Sequence, residues 1–424
     1  MQKRELKSAV PIKEQDVLKL RHDVEDILMR VKSQGDKALQ HYSRTFDKYD
    51  GPLLLENQDI DEVRSQLPEH IVRGLDFAIE RVTAFAQAQR DQILDFEKEM
   101  MPGVFMGHRS VPVDSFGAYV PAGRYPCLTA AVMSLVPGKV AGVKRIVACS
   151  SPGTQQRINP AILYTMLAIG AHEIYCLGGA QAIAALAYGT ETIKPVDLIV
   201  GPGNQYVAEA KRQVFGDVGI DFIAGPSECM VIADETGRAD YIAADLLAQC
   251  EHDPNARGAL VTISEKLGKD VLEEIERQLK ELETEAVARA SWENNGVVVV
   301  VPSLEEAAIY ANQYAPEHLE IHTRNPGAIF PLLSSYGSLF LGEDAAEVFA
   351  DKIAGTNHTL PTGRAARYTG GLWVGKYLKT LTFQRIEKKE SMRLLAEYAI
   401  RQSEFEKMDA HRRAALIRLK NKAQ

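Results

Sequence analysis

The chain has 424 residues, 46% of them hydrophobic, and a net charge of −8. At about 100–200 residues per domain this predicts two or three domains, each able to bury a core. Lys and Arg are spread along the chain without a basic block, which argues against nucleic acid or an anionic membrane as a partner.

The N-terminal stretch MQKRELKSAVPIKEQD is charged throughout and lacks the apolar core of a secretory leader. No run of about 18 apolar residues predicts a membrane span. The five cysteines, Cys127, Cys149, Cys176, Cys229 and Cys250, form no C-x-x-C pair. Their odd number argues against a disulfide framework and for reduced thiols in the cytoplasm.

Residues 14–100 read as helical and polar, with Val82, Phe85 and Ala86 at helical spacing between Val72 and Glu97. From residue 111 short β-branched runs alternate with helical stretches: Lys144–Cys149, Glu173–Leu177, Val196–Val200 and Met230–Ala233. Pro160 opens one of the intervening helices. The pattern resumes with strands at Ala259–Ile263 and Val297–Val301, joined by a Glu-rich helix over Leu267–Val287. Such alternation predicts parallel βαβ units in two α/β halves. The last forty residues read as a charged helical arm.

Four polar motifs stand out against this background. Gln249 and His252, three apart at the end of a helix, share one face and offer a carbonyl oxygen and an imidazole to a metal. The same spacing suits a polar helix end in solvent. The run Pro316-Glu317-His318 predicts a turn or helix start with an acid beside a base, able to divide proton work. A capped helix start with exposed charges reads equally well. Asp351 to Thr362 reads as a Gly- and Pro-punctuated loop carrying Asp351, Asn357 and His358. Glu406 and His411, five apart in the arm, do not share a face of one continuous helix, and a solvated charged helix explains them as well. A metal gathering Gln249, His252, Asp351 and His411 would lack Cys, unlike a typical structural zinc site. No H-E-x-x-H or G-x-S-x-G is present, which removes support for zinc peptidases and serine hydrolases.

No G-x-G-x-x-G occurs either. The nearest match, Gly201-Pro202-Gly203-Asn204-Gln205-Tyr206, has Tyr206 for the third Gly but lies between a strand and a helix. Gly178-Gly179-Ala180-Gln181 is placed likewise. Both suit a phosphate at a helix N-terminus, and both suit a plain tight turn.

Almost the whole chain resembles the histidinol dehydrogenase family. The block from Ile220 through Ser227 and Glu228 to His252 is the most specific, and GAYVPAGRYP, GGAQAIAALAYGT, VGPGNQYVAEAKRQVFG, YAPEHLEIHT and AGTNHTLPTG follow the family's order. The resemblance implies an α/β fold of two incomplete Rossmann-like domains. We divide the chain into a helical segment 1–110, Rossmann-like domains 111–235 and 236–380, and a helical tail 381–424 exchanged in a homodimer. It implies one Zn²⁺ held by Gln249, His252, Asp351 and the partner subunit's His411. Glu317 and His318 would handle protons, while Tyr119, Gln181 and Asn204 would contact NAD. Ser227, His358 and Glu406 would contact substrate together with the metal ligands and His318. The implied reaction takes a primary alcohol through a bound aldehyde to a carboxylate in two hydride transfers. Cys250 has no required role.

The sequence departs from the family's usual pattern at Tyr119-Val120-Pro121-Ala122-Gly123-Arg124 and at Gly363-Arg364-Ala365-Ala366-Arg367-Tyr368-Thr369-Gly370-Gly371. These stretches resemble a side branch, sulfopropanediol dehydrogenase, which implies 2,3-dihydroxypropane-1-sulfonate as substrate. Arg124, Arg364 and Arg367 are then candidate anion contacts, since a guanidinium fork suits a sulfonate; each also reads as a surface arginine. Glu406 favours a cationic amine instead, as in L-histidinol. A homologue that binds zinc and nucleotide without catalysis is the non-enzymatic reading, and the intact Glu317-His318 pair speaks against it.

Overall fold

The computed structural model describes residues 3–420 apart from 11–13, 57, 123–124 and 154. Contacts divide the chain into two compact units, Met1–Arg90 with Val113–Tyr377, and Asp91–Pro112 with Leu378–Gln424.

The first unit opens with β1 (Arg4–Lys7), and unit 2 supplies the next strands, β2 (Phe96–Met101) and β3 (Val104–Pro112). A parallel sheet then forms from β4 (Ser115–Val120), β5 (Arg145–Ser150), β6 (Glu173–Cys176), β7 (Leu198–Val200) and β8 (Gly219–Ile220), in the order β6-β5-β4-β7-β8. The order reverses between β4 and β7, where open α/β sheets place a ligand beyond the strands' carboxyl ends.

A second sheet contains β9 (Glu228–Ala233), β10 (Arg257–Thr262), β11 (Val297–Val300), β12 (His318–His322) and β13 (Ser338–Leu341). Its order is β1-β11-β10-β9-β12-β13, and only β1 runs antiparallel to its neighbour. The expected α/β fold with parallel sheets is therefore what the chain adopts. Alternation along β12 sorts its residues. Leu319 and Ile321 join Met230 and Ile232 in one core, while His318, Glu320 and His322 fall on the opposite side. On that other side Cys229, Val231 and Ala233 of β9 pack against the Ala239–Cys250 helix.

In unit 2, β14 (Leu378–Ile386) pairs antiparallel with β3, which pairs with β2. Helices Lys389–Phe405 and Asp409–Lys420 follow.

Several local expectations change. The helix expected over Val72–Glu97 is Glu69–Asp91, because Phe96–Met101 is claimed by a long antiparallel ladder. Residues 1–110 thus hold three strands as well as helices, and the tail begins on β14. The Leu267–Val287 helix is two, Glu265–Leu279 and Glu285–Asn295, and the turn between them brings Leu279, Ala288 and Trp292 into one core. Pro316-Glu317-His318 leads into strand β12 rather than a helix, since Leu319 and Ile321 are needed in the sheet core. Asp351 sits in the last turn of the Glu347–Lys352 helix rather than in a loop. Among the described residues no helix is long and apolar enough to cross a membrane.

Candidate active site

Three elements of unit 1 bring ionisable side chains together. Strand β12 presents His318 at its first position. The Ala239–Cys250 helix presents Gln249, with His252 just past its end. The Glu347–Lys352 helix presents Glu347 and Asp351. Gln249, Glu317, His318 and Glu347 are all buried.

His318 has a defined tautomer. Its Nδ1 lies 3.1 Å from the Glu228 carbonyl oxygen and 3.0 Å from Gln249 Oε1. A backbone carbonyl only accepts, so Nδ1 carries the proton and donates it. Nε2 then holds a lone pair; it has no hydrogen-bond partner and lies 3.6 Å from Glu347 Oε1. Burial pulls the imidazole down to about 4, so the ring is neutral near pH 7. Glu317 Oε2 accepts the Glu228 N–H at 2.8 Å, and burial still pushes this carboxyl well above the usual range.

Asp351 behaves oppositely. Burial works against its charge, but His358 and Lys352 outweigh it and hold the carboxylate below the ordinary range. Its Oδ1 lies 3.1 Å from His358 Nδ1, and Lys352 pairs with Oδ2. The Asp351 carbonyl also accepts the Thr129 hydroxyl at 2.9 Å. Burial lowers His252 and His358, opposed by the Asp351 charge. Deprotonated imidazoles beside an ionised carboxylate and an amide oxygen are the forms a metal requires. Gln249 Nε2 is buried without a hydrogen-bond partner, while His358 Nδ1 faces the Asp351 carboxylate. Gln249 touches His318, and His252 and Asp351 lie close enough to it and to each other to interact electrostatically, so an amide oxygen, an imidazole and a carboxylate of the types zinc takes are gathered around this ring. His411 and Glu406 lie in unit 2. There Glu406 caps the Lys389–Phe405 helix, Lys407 turns left-handed at φ 59°, and His411 is exposed on the next helix.

The expected nucleotide contacts lie at the carboxyl edge of the other sheet. Tyr119 is near the end of β4, and its hydroxyl accepts the Gly179 N–H at 3.3 Å. Gln181 is buried in the first turn of the Gly179–Tyr188 helix. Asn204 follows β7 and caps the Gln205–Val214 helix, accepting from Tyr206 N (3.0 Å) and Val207 N (3.1 Å). Between them Gly201 adopts φ 111°, and a Cβ there would collide with the Tyr119 carbonyl oxygen. The loop is held from beneath. Lys211 Nζ donates to the Gly201 carbonyl at 2.9 Å, and Asp221 Oδ2 accepts the Gly201 N–H at 2.8 Å. Lys211 and Asp221 also pair, both buried.

Ser227 is half-buried, and its carbonyl accepts the Arg257 N–H at 2.9 Å. Arg364, left-handed at φ 70°, lines a cavity of about 340 Å³ with Glu228, Arg257, Tyr310, Gln313 and Tyr314. Arg367 instead turns back on the Arg364 carbonyl at 3.1 Å in the open. Arg124 lies outside the described residues. Sequence reasoning passed over Glu228, Glu347, Arg257 and a second cluster, Asp245, Glu320 and His322. Its signals were present: His-x-Glu-x-His at strand spacing, and Asp245 one helical turn before Gln249.

A family model described as histidinol dehydrogenase matches residues 11–419. A histidinol dehydrogenase of Rhizobium meliloti is 44% identical over 93% of this chain and 91% of its own. A sulfopropanediol 3-dehydrogenase of Ruegeria pomeroyi is 39% identical over 98% of this chain and 95% of its own. The crystal structure of a histidinol dehydrogenase from Elizabethkingia anophelis superposes with a TM-score of 0.90 at 34% identity, covering 97% of this chain and 94% of that one.

Proposed function

The chain belongs to the histidinol dehydrogenase family and is an oxidoreductase acting on CH–OH; from that premise we propose that it oxidises a primary alcohol to the carboxylate with two equivalents of NAD. The observation that carries this is His318: a neutral, buried ring whose Nδ1 is spoken for and whose Nε2 is free. Such an atom takes the hydroxyl proton while the carbinol hydride leaves. Gln249, His252 and Asp351, with the partner subunit's His411, would hold zinc, which supplies Lewis-acid polarisation of the alcohol oxygen, and NAD would accept both hydrides. Glu347, its carboxyl pushed up to about 8 by burial, lies 3.6 Å from Nε2 and can share a proton with the ring. Glu317, held by the Glu228 N–H, would assist water addition to the aldehyde, and His318, once it has passed its proton to solvent, would serve again as the hydrate loses its hydride. Tyr119, Gln181 and Asn204 would contact NAD at the β4/β7 edge. Ser227, His358 and Glu406 would contact substrate.

For the substrate we favour a small hydroxy sulfonate, 2,3-dihydroxypropane-1-sulfonate. The support is the cavity holding both Arg257 and Arg364, which shares Glu228 with the catalytic pair. The second reading, L-histidinol, is supported by Glu406, a carboxylate suited to an amine. The two alcohols are compared by NADH absorbance, with Arg364→Ala alongside. The expected result is two NADH per sulfonate, with KM raised roughly 10–100-fold by Arg364→Ala, the worth of a lost charge-assisted pair. Histidinol turnover indifferent to Arg364, with no sulfonate oxidation, assigns the enzyme to histidinol.

The homodimer belongs to the same proposal. Unit 2 leaves Leu94, Phe96, Met100, Leu381, Leu394, Tyr398 and Phe405 exposed, Phe405 at 90%, which favours a surface that is covered by a second copy.

A further inference from the structure

One strand turn beyond His318 lies a second buried polar cluster, with no part in the proposed oxidation. Glu320 and His322 occupy the next two same-side positions of β12, and Asp245 faces them from the Ala239–Cys250 helix. His322 Nε2 lies 3.2 Å from Glu320 Oε2 and 3.8 Å from Asp245 Oδ2, and one donor atom from each residue falls within 4.8 Å of the others. The His322 side chain is 0% exposed and Glu320's 1%, yet neither His322 ring nitrogen nor Glu320 Oε2 has a hydrogen-bond partner. Buried polar atoms in that state carry an uncompensated desolvation cost, which a bound cation would relieve. Donors bonded to one zinc at about 2.0–2.2 Å stand roughly 3.3–3.6 Å apart at tetrahedral corners, close to the spacing seen.

We propose that Asp245, Glu320 and His322 form a second divalent-cation site, distinct from the Gln249–His252–Asp351 set. Mixed carboxylate and imidazole donors suit Zn²⁺ or Mn²⁺, and Asp245, whose side chain is the most exposed at 14%, marks the side where water completes the shell. The site ties together the elements that build the catalytic cluster. It joins β12, which begins with His318, to the helix that carries Gln249. Glu320 Oε1 meanwhile accepts the Glu347 N–H at 2.8 Å, at the start of the helix bearing Asp351.

The test is metal stoichiometry of the full-length protein after equilibration with buffered zinc, in wild type, His252→Ala and His322→Gln. Two ions per chain in wild type and one in each variant is the expected result. A single ion lost by His252→Ala and kept by His322→Gln overturns the second site; no ion in any protein does the same. A single ion kept by His252→Ala and lost by His322→Gln upholds this site and sinks the active-site metal instead. Because His322→Gln removes a buried ring and with it some folding stability, wild type is also titrated with Co²⁺. Visible ligand-field bands should grow through two equivalents, and saturation at one in wild type together with none in His252→Ala overturns the proposal.

Discussion

At His318 two acceptors converge on one ring nitrogen, and this decides which nitrogen keeps its lone pair. The Glu317-His318 pair was legible because acid and base are adjacent in the chain. Glu228, which orients both, was not, because it stands 89 residues from Glu317 and reaches it through its backbone N–H, which every residue but proline has. Glu347 was hidden for a similar reason: only the fold sets it opposite Nε2. A different residue offers a pH test free of the metal question. Asp47 closes the Ser43–Asp47 turn with Oδ2 buried and unpartnered, and burial pushes it up to about 6. A carboxyl raised in the fold binds its proton more tightly there than in the unfolded chain. Its stabilising share is therefore present below about pH 4 and is lost as pH rises through 6. Asp47→Asn should match wild type in thermal stability at pH 4 and exceed it at pH 8 by about 1 kcal/mol, after allowing for partial exposure. Parallel melting curves at both ends of the pH range would refute this.

Among the elements, the Gly201 turn shows how a loop without the third glycine is still held in place. Strand β7 and the following helix were predicted from alternation and Gly punctuation, and they formed. The buried Lys211–Asp221 pair beneath them was not foreseen, because a lysine in QYVAEAKRQVF reads as an exposed helix face. Its role follows from the geometry, since Lys211 binds the Gly201 carbonyl and Asp221 the Gly201 N–H. Lys211→Met leaves a buried carboxylate alone and should cost about 3–5 kcal/mol in urea unfolding. Lys211→Met with Asp221→Leu should regain much of that stability, since an apolar pair packs well, yet NAD binding should stay weakened because the turn is no longer pinned. Recovery of NAD affinity along with stability would show that the pair serves folding alone. The elements that escaped prediction, β2 and the break after Leu279, depend on partners far along the chain, which local periodicity does not report.

For the whole molecule, the proposed site is completed by His411 from another copy, so mixed oligomers give a direct measure. His318→Gln and His411→Ala are each expected to be inactive as pure proteins. Co-expressed, half of the sites in a mixed dimer place a normal His318 beside the other copy's normal His411, and activity should return to about half per mixed dimer. Silence in verified mixed dimers would put His411 in its own chain's site. The sequence made the strand–helix alternation readable but not where one sheet gives way to the other: Met230–Ala233, read with the first half, is part of β9 inside the second sheet, and β1 joins that sheet from the far end of the chain. Unit 2 was unreadable because β3 and β14 are joined across the whole catalytic region, Val104 opposite Ile386 and Pro112 opposite Leu378. Roughly 265 residues must be translated between those partners, about 15–50 s at ordinary elongation rates. Through that interval the nascent chain carries β2 and β3 as an unfinished hairpin with an open edge while the α/β region ahead of β14 emerges. Ribosome-bound chains thus acquire their catalytic framework first and their arm last, and chaperones that cover strand edges have the most to protect in this one segment.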